Sequence, residues 1–557
     1  MTFPWLALGA VGIGAVTLAA AHLTRLHAVA AVAGGGCILL LHGWFYFHYT
    51  SDDAYISYRY ARNLSDGLGL VWNPGEHVEG YSNFLWVLIL AALHKQGADI
   101  PFCGRWLGFA LAVAASAGAY ALARDLTAGG RGRMAGVTAV LLLAASGSWA
   151  LWSVAGLEVP LFALLTLGAV LLHIREHDRP AVPVSGVAWA LVAMTRPDGV
   201  VLFAVSGVFK LCDALIRTSG TDAQRTAAPA RLVSLAVWLA GFALIYVPYF
   251  AWRYAEYGWL LPNTYYAKVG TGLDQYDRGL RYAMQFTQEY TAWLLLLVPI
   301  AIASTPMRRA PALYVLALLV AWSAYVVYIG GDSLLRFRFF APLLPLYYPL
   351  VAAAGASLLG AVRDAARQPG RLLAATALLA ASAMFAVTLQ PSADGFGAAE
   401  GRAERQAVGD RVDVGRWLRA NLPAATAVAL VPAGAIPYES RLPTIDMLGI
   451  TDEHIAHRDI PLGEFPAGHE KYDSEYVLDR RPDIIILFDG LTGHAWTRSD
   501  YDALSGVIIP AIIDMVTTPR LFEEYEPRAV ELREGKWLNL LVRHGAEPVL
   551  AKTLPAP

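Results

Sequence analysis

A chain of 557 residues would by length alone suggest about three or four soluble domains. Its composition excludes that: 56% of residues are hydrophobic, only 16% are charged, and the mean hydropathy is +0.44. Forty-three Lys and Arg against 45 Asp and Glu leave a net charge of −2, so no basic field points to nucleic acid. Three cysteines, none beyond Cys212, are too few for a disulfide framework and leave the redox compartment unread. What remains is an α-helical polytopic membrane protein with a soluble tail.

The first apolar run, 4–21, lacks a positively charged leader and a cleavage site, so it reads as an uncleaved helix rather than a signal peptide. A second run follows at 27–47. The chain then leaves the membrane for a first external loop, 48–103, which opens DDAYISYRYARNL. Asp52 and Asp53 thus sit at the bilayer boundary, and Tyr55, Arg59 and Arg62 share one face of the helix after them. One acid of such a pair would cap that helix. The other, partly kept from water among tyrosines, is placed to act as a general base. Next comes GLGLVWNPGEHVEGYSN, rich in Gly, aromatics and acids, with Glu79 and Tyr81 as candidate substrate contacts. The apolar stretch 83–93 is too short to cross and suits an interfacial helix.

Ten further runs of near-spanning length follow, at 104–123, 134–152, 159–175, 181–195, 199–216, 232–252, 291–305, 311–330, 337–359 and 371–389, for about 12 spans in all. Alternate loops collect arginine, from Arg25 and Arg124 through Arg231, Arg308 and Arg309 to Arg371, and these should face the cytoplasm. The opposite loops bear Glu158 at a span start, Arg196 and Asp198 in TRPDG, and Asp332, Arg336 and Arg338 in GGDSLLRFR. Charges at membrane depth are costly and normally face a protein cavity. Arginine matches phosphate oxygens with a planar fork, so Arg196, Arg336 and Arg338 are candidates for holding a lipid-linked phosphate. The alternative is snorkelling anchors and interhelical ion pairs. The stretch WLLPNTYYAK offers Asn263 and Tyr265 as sugar contacts and Lys268 as a phosphate contact, unless it is an interfacial aromatic belt.

The membrane module is expected to occupy 1–389, and 390–557 to form an extracytoplasmic α/β domain. Within the tail, 392–401 reads as a linker and 411–422 as a helix. TAVALVPA at 426–433 and DIIILF at 483–488 read as buried strands. Tyr438, Asp446, Asp452, His469 and Lys471 are candidates for the face turned to the membrane site; the plain alternative is loops that stabilise the fold.

An Asp pair opening a large external loop, juxtamembrane helices, many spans and an extracytoplasmic tail together resemble the GT-C superfamily of glycosyltransferases that use polyprenyl-phosphate sugars. DDAYISYRYARNL, GLVWNPGEHVEGYSNFLW, TRPDG and GGDSLLRFRFFAPLLPL are similar to bacterial members of the AftB type, the terminal arabinofuranosyltransferases. The tail's IDMLGITD and GHEKY belong to the same pattern. The stretch 53–60 departs from the actinobacterial cell-wall enzymes, which leaves sugar and acceptor open. The resemblance implies that the first acid, Asp52, is the catalytic carboxylate, with Asp53 orienting the helix or the acceptor. It places the phosphate-binding arginine at Arg336 or Arg338, whereas Arg196 is drawn from the topology.

The expected chemistry is an inverting single displacement at the outer face of a bacterial plasma membrane. A carboxylate deprotonates an acceptor hydroxyl on a cell-envelope glycan, and cations stabilise the departing polyprenyl phosphate. No nucleotide is expected, since no Gly-rich phosphate loop leads into a helix, and no cofactor is required. A divalent cation could sit beside Asp52, Glu158 and Asp332, but their spacing dictates no geometry. The competing reading is a flippase for the same lipid-linked sugar, whose marker would be inverted repeats with broken helices.

Overall fold

The computed structural model describes residues 9–17, 19, 26–47, 49–178, 182–218, 222–365, 395–488, 490–507 and 509–546. Among the described residues, seven helices are long and apolar enough to cross a membrane, or nine if two bent pairs each count as one span. The seven are His27–Tyr46, Ile100–Leu126, Val159–Asp178, Gly199–Ile216, Pro229–Tyr257, Arg309–Tyr328 and Ala341–Ala361. The expected span at 371–389, eight of the eighteen residues of the one at 4–21 and the 389/390 boundary lie outside the described residues.

Three expected spans are not straight, full-length helices. The run at 134–152 is two helices, Gly132–Ala145 and Gly147–Val154, bent by 66° at Ser146, whose side chain accepts a hydrogen bond from the Trp149 amide. The run at 291–305 is the second arm of an 83° bend between Leu273–Glu289 and Ala292–Ser304. There Thr291 takes a left-handed φ of 53°, and Tyr347 donates to the carbonyls of Tyr290 and Thr291 that the break exposes. The run at 181–195 gives only Ser185–Thr195, 11 residues. It nonetheless joins the two ends of helix Val159–Asp178: Ser185 bonds Glu176 at one end, and Arg196 bonds Glu158 at the other.

The stretch at 83–93 forms helix Phe84–Lys95, 12 residues long and too short to span. Asn83, before it, bonds Ser57 and Glu158; Arg105, in the next helix, bonds Thr50.

Among the described residues the tail is a long helix, several short ones and a five-stranded sheet. Helix Gly395–Asn421 leads to β1 (Val428–Leu430), β2 (Thr444–Asp446), β3 (Ile484–Ile486), β4 (Tyr525–Arg533) and β5 (Lys536–Arg543), in the order β2-β1-β3-β5-β4. β1 runs parallel to β2 and β3; β5 is antiparallel to β3 and β4. Because side chains alternate across a strand, β1 and β3 need apolar residues on both faces. Val428, Leu430, Ile484 and Ile486 join the core that includes Val414 and Leu418 of the long helix. Ala429 and Ile485 pack with Val477, Ile512 and Met515 on the other face.

The sheet domain is pinned to the membrane module by buried polar groups. Arg59 donates to the carbonyls of Trp72, Pro437 and Leu442 and to Asn73 and Thr444, with its guanidinium 4.5 Å over the Trp72 ring. Asn263 donates to the carbonyls of Gly449, Ile450 and Asp452. Glu470 of GHEKY pairs with Arg278 at 2.8 Å. An Arg59→Met variant removes all five Arg59 hydrogen bonds, and a hydrogen bond from a charged donor contributes about 1.5–3 kcal/mol. Faster amide exchange across 435–446 is expected, and unchanged exchange there would show that Arg59 does not hold the tail.

Candidate functional site

A cavity of about 220 Å³ lies where the sheet domain meets the helices. Its walls come from the start of helix Asp52–Ser65, the loop 80–83, Glu158, the segment 196–198, the stretch 261–269, the loop 329–339, and the tail residues Ile450 and Ala467.

The Asp pair is divided between two environments. Ser51 holds the N-cap position, without a side-chain cap, so neither acid caps its own helix as expected; both stand in the first turn. Asp52 turns to the tail. Its carboxylate accepts from the Ala435 amide at 2.9 Å and pairs with Arg411 at 3.4 Å, satisfying an orphan amide at the start of helix Ala435–Ser440. Gly434 permits this approach, since a Cβ there would come within 2.3 Å of Asp52. Asp53 faces the cavity, 3.3 Å from Arg338 and 3.9 Å from Lys268. Burial alone would raise its carboxyl, but Lys268, Arg338 and His469 outweigh burial and hold it below the usual carboxylate range.

The two arginines expected at the last core spans also separate. Arg338 grips Asp332 with two nitrogens, at 2.7 and 3.1 Å, and reaches Asp53 with a third. Arg336 does not line the cavity; its guanidinium lies 4.0 Å from Glu289. The chain turns between them through left-handed φ values of 55° at both Arg336 and Phe337, a conformation that costs about 1–3 kcal/mol per non-glycine residue. Hydrogen bonds from Trp152 to the Leu335 carbonyl and from Ser148 to the Arg336 carbonyl hold it.

Arg196 is in the cavity wall but fully engaged. It pairs with Glu158 at 2.8 Å and Asp198 at 2.6 Å, and lies 4.8 Å over the Phe339 ring. Those carboxylates raise its proton affinity above the ordinary arginine value despite burial. Asn83 and Tyr325 complete the network, bonding Glu158 and Asp198. Gly156, at φ 90°, sets Glu158 in place: a Cβ there would meet the Tyr58 hydroxyl, which donates to the Gly156 carbonyl.

Tyr81, Tyr265 and Asp332 line the cavity. Tyr55, Arg59, Glu79 and Asn263 do not. Tyr55 packs edge-on against Tyr58 and Tyr438, and Glu79 is paired with Arg253 at 2.6 Å. Tyr55, Arg59 and Asn263 contact the tail, whereas Glu79 pairs within the membrane module, and their helical or loop spacing carries no sign of either role.

Of the tail candidates, only His469 comes close enough to Asp53 to act on it electrostatically. Asp446 is enclosed by the amides of Leu448 and Thr451, Asp452 caps helix Glu453–Ala456, Tyr438 faces helix Asp52–Ser65, and Lys471 donates to the Arg458 carbonyl. Asp198, Asn83 and Tyr325 also line the cavity, and their only signal in the sequence is a polar side chain flanking or interrupting an apolar run. Among the described residues no group of three or more His, Cys, Asp or Glu is arranged to hold a metal ion. Asp52, Glu158 and Asp332 do not converge, each being engaged by a different arginine.

A family described only as a domain of unknown function (DUF8728) matches residues 399–533 of the tail. The terminal beta-(1->2)-arabinofuranosyltransferase of Mycobacterium tuberculosis is 25% identical over 303 residues, covering 49% of this chain and 44% of that protein. The chain thus spans less than half the length of the curated relative it matches. Crystal structures of ArnT from Cupriavidus metallidurans have similar folds. The one bound to undecaprenyl phosphate aligns with a TM-score of 0.56 at 13% identity, over 94% of this chain and 99% of that one. The apo structure gives 0.54 at 15%, over 93% and 98%. The resemblance read from the motifs therefore holds: this chain has the GT-C fold, a helical membrane module with a C-terminal sheet domain, and is related to GT-C glycosyltransferases.

Proposed function

We propose that the protein transfers a sugar from a polyprenyl-phosphate donor to a hydroxyl of a cell-envelope glycan, in the cavity at Asp53 and with inversion at the anomeric carbon. The observation that carries this reading is a carboxylate in contact with a guanidinium and an ammonium inside one cavity: Asp53, Arg338 and Lys268. Asp53 takes the proton of the attacking hydroxyl. The hydroxyl oxygen bonds to the anomeric carbon as the bond to the phosphate oxygen breaks. Arg338 and Lys268 receive the charge that grows on the leaving phosphate, where preset donors lower a barrier most. Arg196, paired with Glu158 and Asp198, lies in the wall of the same cavity but is not in contact with Asp53. The base is assigned to Asp53 and not Asp52, because Asp52 is spent on the tail.

Likeness to a terminal arabinofuranosyltransferase supports arabinofuranose as the sugar. The arginine-rich opposite loops support an active site and tail outside the cytoplasm, in a bacterial plasma membrane. An apolar cavity of about 140 Å³ at Trp322, Phe286, Phe340 and Leu344 lies behind Phe339 and supports a path for an isoprenoid tail.

Purified protein in vesicles, offered a panel of polyprenyl-phosphate pentoses and hexoses with glycan acceptors, is expected to yield a glycosylated product by mass spectrometry. Lipid moved across the bilayer without chemical change would favour a flippase instead. The pH profile tests the base. In the free enzyme the cations hold the Asp53 carboxyl below the usual carboxylate range, so the acid limb of kcat/KM should lie below that range. A bound phosphate offsets Lys268 and Arg338, so the acid limb of kcat should lie at higher pH than that of kcat/KM. Coincident limbs would remove Asp53 from the cations' influence.

A further inference from the structure

Helix Val159–Asp178 begins beside the sugar-transfer cavity and ends roughly 30 Å away. At that far end a second cavity, of about 250 Å³, opens among the spans 159–178, 199–216, 229–257 and 309–328. Its lining carries Lys210 and Arg231, the histidines His173 and His177, and the carboxylate of Asp213. Ionisable groups on spanning helices are rare because burying them is costly, and they normally mark a ligand.

Each charge has some local account. Lys210 bonds Glu176 at 2.9 Å, Glu176 also accepts from the Ser185 amide and hydroxyl, and Arg231 donates to the carbonyls of Glu176 and His177. Asp213 lies 3.7 Å from both His177 and Arg231. His173 has no such account. It is only 6% exposed, its ring stacks on Tyr314 at 4.2 Å, and its Nδ1 has no hydrogen-bond partner. A buried nitrogen left unpaired beside an open cavity calls for an acceptor that enters it. The rim is of the opposite character: Ile216 and Leu313 line the opening and are 67% and 47% exposed. An apolar rim around a polar interior fits an amphiphile whose chains stay in the lipid.

We propose that this cavity binds the phosphate headgroup of a membrane phospholipid from the leaflet opposite the sugar-transfer cavity. The phosphate oxygens accept from Lys210, Arg231 and the Nδ1–H of His173, and the acyl chains run over Ile216 and Leu313. Nothing in this site depends on sugar transfer.

The test uses the full chain, delipidated in detergent, and native mass spectrometry with dioleoyl phosphatidylglycerol. Saturable binding is expected, about fivefold weaker in Lys210→Gln and in Arg231→Gln, since each cation near a phosphate headgroup contributes about that factor. His173→Phe, which keeps the stack on Tyr314, should also weaken it. Dioleoylglycerol, which lacks the phosphate, should not compete, and neither should inorganic phosphate. Unchanged binding in all three variants overturns the proposal, and Lys210→Gln keeps the hydrogen bond to Glu176 as a guard against misfolding. Competition by inorganic phosphate would make the cavity a site for a soluble phosphate compound. Equal binding of dioleoylglycerol would make it an apolar groove only.

Discussion

Replacing Asp53 with asparagine is expected to slow sugar transfer by about 10²–10⁴-fold, the usual worth of a positioned base, while tightening the hold on polyprenyl phosphate. The two effects share one cause. In the empty site Asp53 stands against Arg338 and Lys268, the groups the donor phosphate needs, so the carboxylate and the phosphate compete for the same cations. A neutral amide removes the competitor and the base together. A Kd measured for the phosphate lipid alone and a kcat measured for the full reaction separate them. Asp52→Asn is the necessary partner experiment. Its amide oxygen can still accept from Ala435, and only the pairing with Arg411 is weakened, so transfer should fall by no more than a few-fold. If Asp52→Asn abolishes transfer and Asp53→Asn does not, the base returns to the first acid and the tail contact seen here must open during turnover.

This division of the Asp pair marks where the sequence stops being legible. Apolar length placed the seven helices long enough to span, because a hydrocarbon core tolerates little else, and the continuous apolar runs at β1 and β3 placed two strands of the tail. Charges at span ends pointed to a cavity, and Asp53, Glu158, Arg196, Lys268, Asp332 and Arg338 do surround one. Which of two neighbours faces inward was not readable. Asp52 and Asp53 are one residue apart on a helix, about 100° around its axis, and only the arrival of Gly434 and Ala435 from the tail decides between them. Arg336 and Arg338 would share a side on an ordinary strand. Consecutive left-handed residues at 336 and 337, stabilised by Ser148 and Trp152 from another helix, send them apart. Arg59 and Asn263 resemble ligand groups in sequence because a buried donor looks the same whether its acceptor is a sugar or a distant carbonyl. All three cases have one origin: contacts more than a hundred residues away in the chain set the direction of a side chain.

Removing Arg338 should have the second large effect, with two parts that can be told apart. Arg338→Met takes away a preset donor at the leaving phosphate, for which a loss of about 10²–10³ in kcat is typical. It also leaves Asp332, 2% exposed in its side chain, without the cation that grips it at 2.7 and 3.1 Å. Breaking a buried pair from one side costs about 3–5 kcal/mol, because the surviving charge stays buried. A low activity alone would therefore say little about phosphate. The double variant Arg338→Met with Asp332→Asn resolves it. Neutralising both partners should restore most of the thermal stability, since no buried charge is then left alone, yet kcat should stay at the level of the single variant. Recovery of kcat along with stability would show that Arg338 serves the fold and that Lys268 alone meets the phosphate. Arg336→Met supplies the contrast: its guanidinium lies towards Glu289 and outside the cavity, so kcat should be unchanged.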